Sequence, residues 1–543
     1  MTRESDAVLP AAAPIPAQVP AQVPAQVAAP VPAASTAPSF MLPPAISWGM
    51  IAAGLVLAVL ATSLGDLRIA AIGAAMAGAT LVLAYPSAAL VLLFVLSFGM
   101  LPAVLLPDAV HDKMRNLVEV GLLGMAGLLA LRAWLDPRIR IQYLLLPWVP
   151  FLVLWGCLWI LAFIQGYFVA QYELAIPDAR KHFGWAMIVV AAFVEGRHRW
   201  RLHTIAMAIA SVLSAEMLLQ ALSGEYFLSQ IYDVQAQAAE GSSVPRGYSW
   251  GGEYLMMYAI YYSAQKLVAS KDPRRLAFLA LLLLNVAGVL CTFTRGIWFG
   301  TAAGLLGLAL FGGALRMRIG LRLGIVAAVA TVLVIGLANS GNKFAEAVVT
   351  RALSVEEEGG EESSLGARYH ENREAIEPIM ENFVLGLGHG GEYKKRLDPD
   401  PRFVEQAMYI HNGYLYIQLK YGVFGTIALL LLLGTVAAVA RTVQRLTPAD
   451  DPWFWRSQAA MACVIAFCVN AITSPVWVEF GPTTGLACAL IHLAAARGHA
   501  YRLHGRTSSG GLIRRRRRRT SEEQSLDPLA AKSALPSHPD TSN

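Results

Sequence analysis

Apolar runs of about 20 residues recur from Ile46 to Ala496, and each is long enough to cross the roughly 30 Å hydrocarbon core of a bilayer. Inside lipid no water can satisfy a backbone N–H or C=O, so such runs fold only as helices that close their own hydrogen bonds. About fourteen of them can be drawn. The first eight fall near 46–64, 69–85, 87–106, 116–133, 143–164, 184–197, 202–222 and 251–268. The others fall near 275–293, 297–314, 319–338, 413–438, 455–472 and 481–497. The predicted fold class is therefore all-α, a polytopic transmembrane helical bundle of about 12–14 helices. Composition agrees: 56% of the 543 residues are hydrophobic and 15% are charged, where a soluble chain carries about 25% charged residues. A soluble globular enzyme is excluded.

The short loops place their basic residues on one side. When successive segments alternate, Arg132, Arg138 and Arg140 share a face with Arg197, Arg199 and Arg201, and with Lys271, Arg274 and Arg275. Arg316, Arg318 and Arg322, then Arg441 and Arg445, fall there too. Basic loops mark the cytoplasm, so both termini are expected there. The net charge of +6 is weighted toward the C-terminal tail, where Arg514 to Arg519 are unbroken. Such a run can bind nucleic acid, but just after a membrane helix it reads as a topology signal touching anionic lipid. No nucleic-acid partner is expected. No cleavable signal peptide precedes the first apolar run.

The expected organisation starts with 1–44, a disordered Pro/Ala-rich cytoplasmic tail with the repeat P-A-Q-V at Pro16, Pro20 and Pro24. Then come 45–338, the N-terminal transmembrane helices, and 339–412, a large, partly helical periplasmic loop. The C-terminal transmembrane helices occupy 413–497, and 498–543 is a disordered basic cytoplasmic tail. Cys157, Cys291, Cys463, Cys468 and Cys488 all lie inside apolar runs. They offer no exposed pair and no zinc spacing, and read as small core residues.

Opposite the basic clusters lie loops near 165–183, 223–250 and 339–412. The last is far longer than an ordinary connection, and loops of that length tend to carry function. Leu365 to Phe383 has helical spacing, with Tyr369, Ile376, Met380 and Phe383 available for one apolar side, and Pro378 should bend it. Gly386, Gly388, Gly390 and Gly391 then make a turn-rich stretch. Glu356, Glu357, Glu358, Glu361 and Glu362 form an acidic run, read as solvated loop. No internal duplication suggests a two-halved transporter.

Three side chains on that face can carry chemistry. His411 opens the apolar run H-N-G-Y-L-Y-I-Q-L-K-Y-G-V-F-G-T. A histidine at the water boundary can titrate near neutral pH, and the N-terminal dipole of a helix favours the neutral ring, which suits a general base. The alternative is a histidine bonded at headgroup level, with glycines that merely ease helix packing. Arg295, in T-F-T-R-G, lies at the outer ends of two segments. It breaks the positive-inside trend, and an anionic ligand would explain it; the alternative is snorkelling to lipid phosphate. Arg368, in S-L-G-A-R-Y, starts the loop helix, and taken alone it reads as an ordinary solvated arginine pairing with the nearby glutamates. Two guanidinium forks suit a diphosphate, and a base suits an acceptor hydroxyl. No carboxylate cluster or His/Cys spacing asks for a metal, and no cofactor is expected.

The stretch from His411 to Thr426 resembles the pattern H-[N/S/Q]-x9-G-x-x-G-T of the O-antigen ligase family, which shares its fold with Wzy-type polysaccharide polymerases. Asn412 fills the second position, nine residues follow, and Gly422, Gly425 and Thr426 fall in register. T-R-G at Arg295, Gly366-Ala367-Arg368, and N-F-V-L-G-L-G-H-G from Asn382 to Gly390 resemble other motifs of the family. Arg246-Gly247 is a weaker match to a further loop arginine. The resemblance covers about 240–440.

It implies a bacterial inner-membrane glycosyltransferase, working on a glycan linked to undecaprenyl diphosphate at the periplasmic face. His411 would be the base, with Arg295 and Arg368 on the diphosphate, and Arg246 and Asn412 as further site residues. Direct displacement would invert the anomeric centre without a metal. The acceptor would be a glycan or lipid A-core, so that ligation and polymerisation into O-antigen or exopolysaccharide are both compatible. The terminal extensions lie outside the family pattern and concern partners, among them other polysaccharide assembly proteins. A polysaccharide transporter or lipid-linked oligosaccharide flippase is the reading from a different class. It would more naturally hold its charged residues at mid-membrane.

Overall fold

The computed structural model describes residues 43–63, 67–97, 100, 114–135, 148–169, 172–197, 201–223, 247, 251–269, 274–311, 316–353, 364–394, 407–447 and 452–479. Among them there are helices and turns and no strand. In chain order these are α1 (Pro44–Ser63), α2 (Leu67–Ala84), α3 (Pro86–Ser97), α4 (Met114–Leu135), α5 (Val149–Val169) and α6 (Tyr172–Lys181). A 3-10 turn (His182–Ala186) leads into α7 (Met187–Arg197), α8 (Arg201–Ser223), α9 (Glu253–Ala269), α10 (Arg275–Cys291), α11 (Arg295–Phe311) and α12 (Arg316–Asn339). Then follow α13 (Lys343–Leu353), α14 (Ser364–Glu381), α15 (Gly413–Leu446), α16 (Pro452–Asn470) and the short α17 (Val476–Glu479). Pro44, Pro86 and Pro452 each take the first helical position, where a missing N–H costs nothing and the fixed φ is already helical.

Every expected segment from 46–64 to 455–472 overlaps a helix among the described residues, and 481–497 lies outside them. The segment expected at 184–197 is shorter than drawn, because a 3-10 turn precedes the 11 residues of α7. Five described helices are long and apolar enough to cross a membrane: Pro44–Ala61, Val118–Leu135, Val149–Phe168, Leu202–Ser223 and Gly413–Arg445. Leu55, Val56, Val59 and Leu60 of α1 face outward, a large apolar surface that suits lipid and not water. The chain is a multi-pass membrane protein. Cys291 and Cys463 are buried as expected, whereas Cys157 is exposed.

The core is built around α9, where every residue from Tyr254 to Gln265 is buried. A helix covered on all sides must offer apolar side chains all round, and α9 does so with Tyr254, Met256, Met257, Tyr258, Ile260 and Tyr261. Beside it, α11 presents Gly296, Gly300 and Gly304 at intervals of four to α9 and α16. A Cβ at Gly304 would stand 2.2 Å from the Tyr261 hydroxyl, and one at Gly300 2.6 Å from Asn470 Oδ1. This small-residue stripe lets the backbones approach, and it sets the start of α11 against the end of α16.

Candidate functional site

His411 stands just before the cap of α15. Asn412 has extended backbone (φ −83°, ψ 109°), and its side-chain oxygen accepts from Tyr414 N at 3.0 Å and Leu415 N at 3.2 Å. This satisfies two of the N–H groups that a helix leaves open at its start. The imidazole therefore projects from the end of the helix and not from its side. His411 Nδ1 lies 2.8 Å from Glu371 Oε2, and the His411 backbone N–H donates to the same oxygen at 3.1 Å. The Tyr409 ring stands edge-on to the imidazole, with centroids 5.0 Å apart. Side-chain exposure is 44% for His411 and 11% for Glu371, so the ring keeps an open edge while its partner is covered. Burial pushes the Glu371 carboxyl up, but the side-chain bond, charge and backbone N–H of His411 outweigh it and hold it below its ordinary value.

Glu371 belongs to α14, and so does Arg368, three residues earlier and hence one turn away on the same face. That face carries Ala375 and Ile379, both buried. The expected apolar side of this helix is corrected here: Tyr369, Ile376, Met380 and Phe383 are exposed, at 66%, 53%, 64% and 46%. The helix also continues through Pro378 to Glu381.

Arg295 opens α11 behind a strained turn. Phe293 has φ 46°, a left-handed conformation that a bulky residue holds only when its surroundings enforce it. Here the Thr292 hydroxyl bonds Val289 O at 2.8 Å and accepts from Thr294 N at 3.2 Å, and Phe293 packs on Ala347 and Val348 of α13. Arg295 Nε donates to Arg351 O at 2.9 Å, and Arg351 Nε donates back to Phe293 O at 3.3 Å. Gly247 N–H reaches Cys291 O at 2.9 Å in the same region; Arg246 lies outside the described residues.

The turn from Ala471 to Pro475 joins these two places. Gly413 N–H donates to Ala471 O at 2.7 Å, and a Cβ on Gly413 would stand 3.0 Å from Ser474 O. A Cβ on Gly296 would stand 3.1 Å from Thr473 Oγ1. The starts of α11 and α15 thus flank one turn. Arg295 and His411 lie at one end of the bundle, with Arg368 beside the partner of His411.

The rest of the His411 motif holds a different structure. α15 breaks at Gly422 (φ 61°, ψ −157°), and the turn after α14 fills the break. Leu387 N and Gly388 N donate to the freed carbonyls of Leu419 and Lys420 at 2.7 and 3.2 Å, and Val423 N donates to Phe383 O at 2.8 Å. Backbone outside a helix is tolerated among membrane helices when protein satisfies it in this way. A Cβ on Gly422 would stand 2.2 Å from Val384 O. Thr426 donates its hydroxyl to Gln418, whose amide bonds Phe383 O at 3.1 Å.

Beneath this turn lies a sealed ion pair. Lys420 Nζ stands 2.8 Å from Asp178 Oδ2, with side-chain exposures of 0% and 3%. Tyr416 donates its hydroxyl to Asp178 Oδ1, Gly390 N–H donates to Oδ2 at 2.9 Å, and Lys420 Nζ also reaches Gly391 O at 3.1 Å. His182 Nδ1 lies 2.7 Å from the Tyr421 hydroxyl. Burial pushes the Asp178 carboxyl up, but Lys420 chiefly, with His389 and Lys181, holds it well below its ordinary value. Asp178, His182 and His389 bring donor atoms within 4.8 Å of one another, a spacing that could hold a metal. Asp178 is already engaged within the protein, however, with Lys420 Nζ and Gly390 N–H on Oδ2 and the Tyr416 hydroxyl on Oδ1. The cluster is an ion-pair lock.

Sequence reasoning missed Glu371, Arg351 and the Asp178–Lys420 pair. Lys420 was a visible signal: a charge inside an apolar run asks for a partner. The acidic run from Glu356 to Glu362 lies outside the described residues.

Residues 278–430 match the family model Wzy_C, O-Antigen ligase. This stretch holds Arg295 and Arg368, and it holds His411 with all of its motif. No curated protein matches the chain.

Proposed function

We propose that this chain, which carries an O-antigen ligase domain, is an inner-membrane glycosyltransferase with both termini in the cytoplasm. It moves a glycan from undecaprenyl diphosphate to an acceptor hydroxyl at the periplasmic face, in O-antigen or exopolysaccharide assembly. His411 takes the acceptor proton on its open ring edge. The acceptor oxygen bonds to the anomeric carbon as the carbon–oxygen bond to the diphosphate breaks, with inversion, and the bonding pair leaves with undecaprenyl diphosphate. Arg295 and Arg368 hold that diphosphate and stabilise its growing charge, a preorganised electrostatic role. The positive charge comes from guanidinium groups, so the reaction as drawn calls for no metal.

The observation that carries this reading is the half-exposed imidazole at one end of the bundle, across a single turn from Arg295. In a deletion strain, His411→Ala should insert normally yet restore no surface polysaccharide on a gel; full complementation would remove the base. Arg295→Ala and Arg368→Ala should each leave lipid-linked glycan to accumulate, and unaltered donor use in both would remove the diphosphate clamp. The form of the stranded product also separates two activities. Long chains on the lipid carrier indicate ligation, and single units on an acceptor indicate polymerisation.

A further inference from the structure

We infer that Glu371 is a positioning residue for His411: it fixes the imidazole tautomer and the ring's direction, so that Nε2 faces the acceptor as the base. This rests on the proposed base role of His411. One carboxylate oxygen holds that residue twice, at Nδ1 (2.8 Å) and at the backbone N–H (3.1 Å). An ionised carboxylate only accepts hydrogen bonds, so Nδ1 carries the proton, and in the neutral ring that the base role requires Nε2 is then the lone-pair nitrogen. Two contacts to one oxygen also stop the ring from turning independently of the chain, and the edge-on Tyr409 ring closes one side. The Tyr393 hydroxyl reaches Glu371 Oε1 at 3.4 Å and Tyr409 O at 3.1 Å, which ties the carboxylate to the segment that leads into His411. Lys394 adds a favourable charge to Glu371.

The step balances. The acceptor O–H proton passes to Nε2 as the new C–O bond forms, and Nδ1 keeps its own proton against Glu371. The resulting imidazolium sits beside a carboxylate that takes no proton itself, the arrangement of base and orienter found in serine-type triads.

The test uses the full-length protein in lipid with a lipid-linked donor and a soluble acceptor, comparing Glu371→Gln, Glu371→Asp and His411→Ala. Glu371→Gln keeps the shape but can offer Nδ1 a donor and turn the tautomer over. Its kcat should fall by about 100-fold or more, with the KM for donor within about twofold and little change in thermal stability. Glu371→Asp should recover part of that kcat. In the His411→Ala background Glu371→Gln should cost nothing further, because a base and its orienter act as a unit. Wild-type kcat in Glu371→Gln beside an inactive His411→Ala would overturn the positioning role alone. An additive loss, or an equal loss in Gln and Asp variants with a lowered Tm, would do the same. An active His411→Ala would remove the base reading itself.

Discussion

Two carboxylates in this protein each meet a nitrogen at 2.8 Å, Asp178 with Lys420 and Glu371 with His411, and the two pairs stand in opposite surroundings. The first is sealed, and its two members bond Gly390 N–H and Gly391 O of the glycine turn that fills the break of α15. The second leaves its imidazole 44% exposed at the bundle's end. Distance alone does not distinguish a structural pair from a reactive one; the free edge does. A buried pair offers nothing to a substrate, and breaking it strands a charge. A half-open pair loses little stability when altered, yet its free edge can take a proton from something outside.

The comparison is most easily broken at Lys420. Lys420→Met leaves the Asp178 carboxylate without its cation in a dry site, and should cost about 3–5 kcal/mol, seen as a large fall in Tm of the purified protein. Adding Asp178→Asn should recover part of that loss; a stable Lys420→Met protein would mean that the pair is not a lock. Acid sharpens the contrast. Burial chiefly, with the positive charges beside it and against the opposing pull of Asp178, keeps His182 well below the usual imidazole range, and burial likewise lowers His389 although Asp178 opposes it. Both should therefore resist protonation in the folded state, while the unfolded chain takes up protons below about pH 6.5. The unfolded state then binds more protons, so stability should fall as pH drops below that value, by at most about 1.4 kcal/mol per pH unit for each histidine. Melting curves taken from about pH 7.5 down to pH 5 check this, and a flat Tm would place the histidines elsewhere. The smallest effect is at the open end. Asn412→Ala removes the cap and should cost about 1 kcal/mol, with Asn412→Gly nearer to wild type; a far larger loss of transfer than of stability would give Asn412 a role beyond capping.

The helices were legible because lipid leaves apolar runs one way to fold. His411 and Arg295 could be picked out because each was a polar group at odds with its setting, whereas Arg368 was picked out through the resemblance of Gly366-Ala367-Arg368 to a family motif. What joined them could not be read. Glu371 is one of many acids in a polar helix, and its choice as partner depends on α14 packing against α15. The apolar side of α14 was misread for a related reason: on a helix beside membrane segments, exposed apolar residues need not face the protein. Asp178 lies 242 positions before Lys420 in the chain, and no local pattern links them.

The break at Gly422 turns the first part of α15 into a ruler. One end is fastened by the Gly413 N–H to Ala471 O, and the other by the docked backbone around Val384. Each residue added or removed between them would shift the imidazole about 1.5 Å along the axis and swing it about 100° around, out of phase with Glu371. The spacing of nine residues in the motif is in this sense a mechanical length. Their number, as much as their identity, sets where the imidazole stands.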